Sequence, residues 1–129
     1  MPAAASLRTL IVDDQQTMRM LVRSGLQQLG FRELHDAVDG ENALHVAAQA
    51  PPALVISDLN MPKLDGLGLL RAIRAYPPTA KAAFIMLTGQ GEKEVVQKAI
   101  QFGVNNFLVK PFNIAALRGK IEAVLGPLT

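Results

Sequence analysis

Cysteine is absent from the 129-residue chain, which excludes a disulfide framework and thiol chemistry and suits a reducing compartment. No apolar run approaches the ~18 residues needed to cross a bilayer. The opening Met1-Pro2-Ala3-Ala4-Ala5-Ser6 has neither the basic start nor the long apolar stretch of a secretory signal. A cytoplasmic protein with no membrane association is therefore expected. Charge of one sign is also missing, since 13 basic and 11 acidic residues leave a net charge of +2. The basic residues are scattered from Arg8 to Lys120 and only 5% of the chain is aromatic, so it lacks the basic stripe of a nucleic-acid-binding surface. No nucleic-acid partner is expected. Repeats, low-complexity tracts and linkers are lacking too, apart from a ragged N-terminus.

What is present is ordinary globular composition, 50% hydrophobic and 19% charged. The length suits one domain over residues 1–129, with a core from about residue 7 to residue 125. The central stretch is Ala53-Leu54-Val55-Ile56, of strand length, β-branched, and barred from helix on its left by Pro51-Pro52. It runs into Ser57-Asp58-Leu59-Asn60-Met61-Pro62 and so stops on a carboxylate. Asp58 alone could be a turn residue or a helix cap, but other strand-like runs end in the same manner.

Arg8 to Val12 predicts a strand ending on Asp13-Asp14, and Thr17 to Leu29 a helix closed by Gly30. Met18, Leu21, Val22, Gly25, Leu26 and Leu29 recur at helical spacing and are expected to face the core. Glu33 to Ala37 mixes polar residues into a weaker strand, which suits a sheet edge. Asp39-Gly40 opens a second helix with Ala43, Leu44 and Ala47 inward. Asp65 caps a third, carrying Leu69, Leu70 and Ile73. Phe84 to Leu87 is a strand ending on Thr88-Gly89, followed by a helix from Glu92 to Phe102 closed by Gly103. Phe107 to Val109 is the fifth strand, ending on Lys110-Pro111, and Asn113 caps a last helix with Ile114, Leu117, Ile121, Val124 and Leu125 inward. His35 and His45 are read as surface residues. Five strands alternating with five helices give an α/β fold, a (βα)5 doubly wound parallel five-stranded sheet.

Asp13, Asp14, Asp58, Thr88 and Lys110 then all stand at strand carboxyl ends, on the rim where open α/β sheets keep their binding crevice. Three carboxylates this close repel one another and raise one another's pKa values unless a cation joins them. An all-oxygen donor set selects a hard ion, most plausibly Mg²⁺. A carboxylate beside such an ion can attack a phosphoryl group and become an aspartyl phosphate. Lys110 supplies a fixed positive charge and Thr88 a hydroxyl donor for phosphoryl oxygens. Gly89-Gln90-Gly91 is too short for a nucleotide-binding glycine loop, so the phosphoryl source is not expected to be bound ATP.

In Asp13-Asp14, Asp58 with Asn60-Met61-Pro62-x-x-Asp65-Gly66, Thr88 and Lys110-Pro111, the chain resembles the receiver domains of two-component response regulators, from about Leu7 to Leu125. Thr17-Met18-Arg19, Leu29-Gly30-Phe31 and Phe107-Leu108-Val109-Lys110-Pro111-Phe112 resemble the single-domain, chemotaxis-type members of that family. The resemblance implies a flavodoxin-like strand order 2-1-3-4-5 and Asp58 as acceptor of phosphate from a sensor histidine kinase. It implies Mg²⁺ held by Asp13, Asp14, Asp58 and the backbone carbonyl of Asn60, and a cis Lys110-Pro111 bond. Thr88 and Phe107 become switch residues that act on a protein-binding face of the fourth helix, fifth strand and fifth helix. Asn60 and Gln90 become residues that tune hydrolysis.

Phe107 stands where relatives carry a tyrosine, and it reads either as a switch ring without a hydroxyl or as plain core. With nothing after Thr129 to act as an output domain, a stand-alone monomer is expected. Its signal, in chemotaxis or motility, would pass to a downstream protein. It could instead drain phosphate from a shared kinase, as a sink, or serve a pathway other than chemotaxis. Catalysis beyond its own phosphoryl transfer and dephosphorylation is not expected. An Mg²⁺-dependent phosphatase acting through Asp58 and a constitutive binding module remain as readings from other classes.

Overall fold

The computed structural model describes residues 3–89 and 93–129. In chain order the elements are β1 (Thr9–Val12), α1 (Gln16–Gln28), β2 (Leu34–Ala37), α2 (Gly40–Gln49), β3 (Leu54–Asp58), α3 (Gly66–Ala75), β4 (Ala83–Thr88), α4 (Lys93–Gln101), β5 (Asn106–Val109) and α5 (Ile114–Leu125). Short 3-10 turns occupy Ala4–Ser6 and Pro77–Thr79. The strands form one parallel sheet in the order β2-β1-β3-β4-β5, the order that the resemblance implies. The predicted start of α4 at Glu92 lies outside the described residues, as does Gln90.

Alternation along the strands divides the core into two layers, as a sheet covered on both faces requires. Leu10, Val12, Val55, Phe84 and Met86 point to one face, where α2, α3 and α4 contribute Ala43, Ala47, Leu69, Leu70, Ile73 and Ala99. Ile11, Leu54, Ile56, Ile85, Leu87 and Leu108 point to the other, against Val22 and Leu26 of α1 and Leu117 and Ile121 of α5. Burying each large side chain of this set contributes roughly 1.5–3 kcal/mol. The strand β2 is an edge, with His35 and Asp36 exposed, as its mixed composition predicts.

Two residues of the predicted core belong to neither buried layer, Leu21 and Ile114. Leu21 is 56% exposed. It lies about 100° round the helix from Val22, beyond Gly25, whose missing side chain lets α1 approach Leu117 of α5. Among the described residues nothing covers the strip on the far side of that contact. Leu21 instead lines a surface groove of about 220 Å³ with Met18, Phe112 and Ile114.

The caps follow the sequence. Asp39, Asp65 and Asn113 accept hydrogen bonds from the backbone N–H groups of Asn42, Gly68 and Ala116, satisfying orphan donors of the first helical turn. The helix α1 has no such cap, because the Gln15 side chain makes no capping bond. At the opposite end of the sheet from Asp58, Arg74 closes the last turn of α3. Its guanidinium donates to the carbonyls of Ala80 (3.0 Å), Ala82 (2.7 Å) and Gly103 (2.8 and 3.0 Å) and to Asn105 Oδ1 (2.9 Å). Asn105 Oδ1 also accepts from the backbone N–H of Phe84 (2.7 Å). One side chain thus ties α3, α4 and the starts of β4 and β5 together. Burial lowers the pKa of Arg74.

The loop from Asp58 into α3 passes so close to β3 that only glycine fits at residue 66. A Cβ there would lie 2.4 Å from the Asp58 carbonyl oxygen and 2.8 Å from Met86 Sδ. Gly66→Ala is therefore expected to destabilise the fold by about 1–3 kcal/mol, the usual cost of overpacking. Gly119, in mid-α5, has nothing within 4 Å of its virtual Cβ, so Gly119→Ala is expected to stabilise by up to about 1 kcal/mol. Urea unfolding of the two variants beside the wild type checks the opposite signs.

Candidate functional site

Register alone brings the site residues to one level. Val12 pairs with Ser57, Asp58 with Leu87, and Thr88 with Val109. The next residue of β1, Asp13, therefore stands beside Asp58, and Lys110 follows directly on the partner of Thr88. Asp13, Asp58 and Thr88 are buried while Asp14 is exposed, and one ligating oxygen from each of Asp13, Asp14 and Asp58 lies within 4.8 Å of the others. The Lys110 backbone N–H donates to the Thr88 carbonyl (2.8 Å), and its ammonium reaches Asp58 Oδ1 at 2.8 Å. The Lys110-Pro111 bond is cis.

Asp13 is the most constrained member, at 1% exposure. Its N–H donates to the Ala37 carbonyl of β2 (3.2 Å), and its carbonyl accepts from Arg19 Nη1 (2.7 Å). Oδ1 accepts from the N–H of Gln15 (2.9 Å). Oδ2 is buried with no hydrogen-bond partner in the protein, unlike any other buried side-chain polar atom among the described residues. Such an oxygen carries a desolvation cost that a bound cation removes.

Electrostatics agree, with one correction. Asp13 has its pKa raised to about 6. The expectation from composition was that neighbouring carboxylates would do this. Burial is the larger cause, with Asp58 and Asp14 adding to it, while the Gln15 N–H and the Lys110 charge work the other way. An all-oxygen cluster with one orphaned, desolvated carboxylate oxygen fits a hard divalent cation.

Lys110, expected to meet phosphoryl oxygens, pairs in this structure with the candidate acceptor Asp58. Asn60 lies two residues beyond β3 and is exposed at the rim. Phe107 is half-buried on β5 beside Met86 and packs against the core layer that includes Ala99 of α4. The proposed water-steering partner, Gln90, lies outside the described residues. Arg19 is the residue that inspection of the sequence missed. Its i, i+4 spacing with Arg23 was visible, but not that both face Asp36 of the edge strand.

A family model for the response regulator receiver domain matches residues 9–122. The chain is 51% identical to the probable chemotaxis protein CheY of Rhizobium etli over 99% of each chain. Among solved structures, the chemotaxis response regulator CheY4 of Vibrio cholerae is similar with a TM-score of 0.85 and 34% identity, covering 97% of this chain and 100% of that one. The receiver domain of the Pseudomonas aeruginosa sensor histidine kinase PA1611, with a magnesium ion coordinated in its active site cleft, is similar with a TM-score of 0.84 and 27% identity, covering 94% and 98%. No helix among the described residues is long and apolar enough to cross a membrane.

The raised pKa of Asp13 makes a stability prediction. Its unfolded value is near 3.9 and its folded value about 6, so between these the folded state binds the extra proton. In protein stripped of divalent ions, this residue's contribution to stability should fall as pH rises from about 4 to about 6 and then level off. Asp13→Asn is expected to stabilise that form at pH 7 by about 1–3 kcal/mol, with the gain fading below pH 5. Urea unfolding of both proteins in chelator, at pH 4.5 and pH 7, measures the difference. An equal gain at both pH values contradicts the assignment.

Proposed function

The chain belongs to the response regulator receiver domains, and from that premise we propose that it is a stand-alone phosphoacceptor switch in chemotaxis signalling. A sensor histidine kinase is the donor. The observation that carries the reading is the coincidence, at the carboxyl end of the sheet, of the Asp13-Asp14-Asp58 oxygen cluster with the Lys110 ammonium on Asp58 Oδ1.

The chemistry is nucleophilic substitution at phosphorus. A carboxylate oxygen of Asp58 forms the new O–P bond as the N–P bond of the donor phosphohistidine breaks, and the imidazole nitrogen keeps the electron pair and takes up a proton. Asp13, Asp14, Asp58 and the Asn60 carbonyl would hold Mg²⁺, which would supply positive charge to the phosphoryl oxygens. Lys110 begins on the acceptor carboxylate and follows the charge outward to a phosphoryl oxygen once Asp58 is esterified. Buried Thr88 donates its hydroxyl to another. Most of the work is positioning and charge neutralisation, which the strand rim supplies.

The output follows from where the new charge sits. Drawing Thr88 toward it makes room for the half-buried Phe107 to turn inward and changes the surface formed by α4, β5 and α5. A phenyl ring fills an apolar space but offers no hydroxyl to a partner, so apolar contact and backbone groups do the recognition on that face. The protein works as a cytoplasmic monomer that engages one downstream protein, and it turns over no substrate besides its own phosphate.

Incubation with Mg²⁺ and acetyl phosphate is expected to add one phosphate by mass to the wild type and none to Asp58→Asn, and beryllofluoride should perturb resonances around Phe107 and α4. A wild type that takes no phosphate, or one that hydrolyses phosphoesters with multiple turnovers, overturns the reading. Because Asn60 offers its backbone carbonyl to the ion and its exposed side chain to the approaching water, replacing the side chain separates two properties. Exchange of Asn60 and Gln90 is expected to change the phosphate lifetime by about tenfold, short of the ~10²-fold of a true general base. Mg²⁺ affinity should stay near wild type. Decay of the radiolabelled phosphoprotein beside Mg²⁺ titration checks both.

A further inference from the structure

The β1–α1 loop carries two of the three carboxylates, yet its helix starts without a side-chain cap. Something else must hold it. Arg19, in the first turn and a half of α1, donates from Nη1 to the Asp13 carbonyl at 2.7 Å, and its backbone N–H donates to the Gln15 carbonyl at 3.1 Å. The Gln15 N–H in turn donates to Asp13 Oδ1 at 2.9 Å. Arg19 is itself gripped, with Nε 3.6 Å from Asp36 Oδ2 on the edge strand and its side chain only 14% exposed. Asp36 also pairs through Oδ1 with Arg23 Nη2, which donates to the Leu34 carbonyl at 3.3 Å as well. With the Asp13 N–H on the Ala37 carbonyl of the same strand, every polar atom of Asp13 except Oδ2 is committed to the protein.

We infer that Arg19, braced by Asp36, is a positioning residue for the cation site: it pins the Asp13 carbonyl so that Oδ2 is the atom left to meet the ion. This rests on the metal-dependent phosphoacceptor reading above. Hydrogen bonds from a guanidinium are strong and directional, and outer-shell partners of metal ligands set affinity by about 10- to 100-fold. The sign separates positioning from plain electrostatics. Arg19 brings a positive charge near a site meant for a cation, so on charge alone its removal should tighten Mg²⁺ binding. Positioning requires the reverse. A lysine cannot reproduce the forked contact to the Asp13 carbonyl and Asp36 together, so charge-conserving replacement should also weaken binding.

The test is isothermal titration of Mg²⁺ into full-length wild type, Arg19→Gln and Arg19→Lys, at a temperature where circular dichroism shows each folded, with hydrogen exchange of the Gln15 amide alongside. We expect Mg²⁺ to bind Arg19→Gln about 10- to 100-fold more weakly and Arg19→Lys to an intermediate degree, with faster Gln15 exchange in both. Unchanged or tighter binding in folded Arg19→Gln overturns the inference. Should that variant not fold, Arg19→Lys decides, and wild-type affinity there overturns it equally. A wild type that binds no Mg²⁺ removes the cation site itself and both readings with it, whereas a wild type that binds beside indifferent variants removes only this one.

Discussion

A nearly water-free carboxylate is the constraint around which the molecule is arranged. Asp13 sits at the end of a buried strand with one oxygen unpartnered, next to Asp58 and within reach of Asp14. Folding by itself gains nothing from this. Burial and like charge both push the Asp13 proton toward staying on, and only the Gln15 N–H and Lys110 oppose them. The rest of the fold has to absorb that cost, which a bound cation would offset.

The sheet divides labour between its two ends. At the strand starts, Arg74 joins α3 to Ala80, Ala82, Gly103 and Asn105 with hydrogen bonds of 2.7–3.0 Å, and two apolar layers fill the middle. At the strand carboxyl ends the polar groups serve chemistry. The connection between the two is geometric: a register that sets Val12 against Ser57 and Asp58 against Leu87 brings residues 45 and 29 positions apart to one level. Gly66 keeps the loop after Asp58 against its own strand.

The comparisons and the geometry converge from separate directions. Receiver-domain kinship covers residues 9–122, and the acidic cluster, the Lys110 ion pair and the cis Lys110-Pro111 bond all fall within that span. Phe107 on β5 packs against the core layer on the α4 side of the sheet.

Period and punctuation were enough to read the fold class from the chain. The β-branched runs, the alternation with helices, the caps at Asp39, Asp65 and Asn113, and the polar residues that end each strand are local facts, decided by backbone sterics and hydrogen bonding within a few residues. The convergence of Asp13, Asp14, Asp58, Thr88 and Lys110 was legible too, because a parallel sheet puts every strand's carboxyl end on the same side. Whatever depends on neighbours distant in the chain was not legible. Leu21 obeys the helical period yet faces water, because only the packing of α1 on α5 decides how wide the covered stripe is. Burial, more than repulsion, raises Asp13, because desolvation is a property of the filled volume around an atom. The grip of Arg19 between Asp13 and Asp36 needs β2 to lie beside β1, and that adjacency exists only once the sheet has formed.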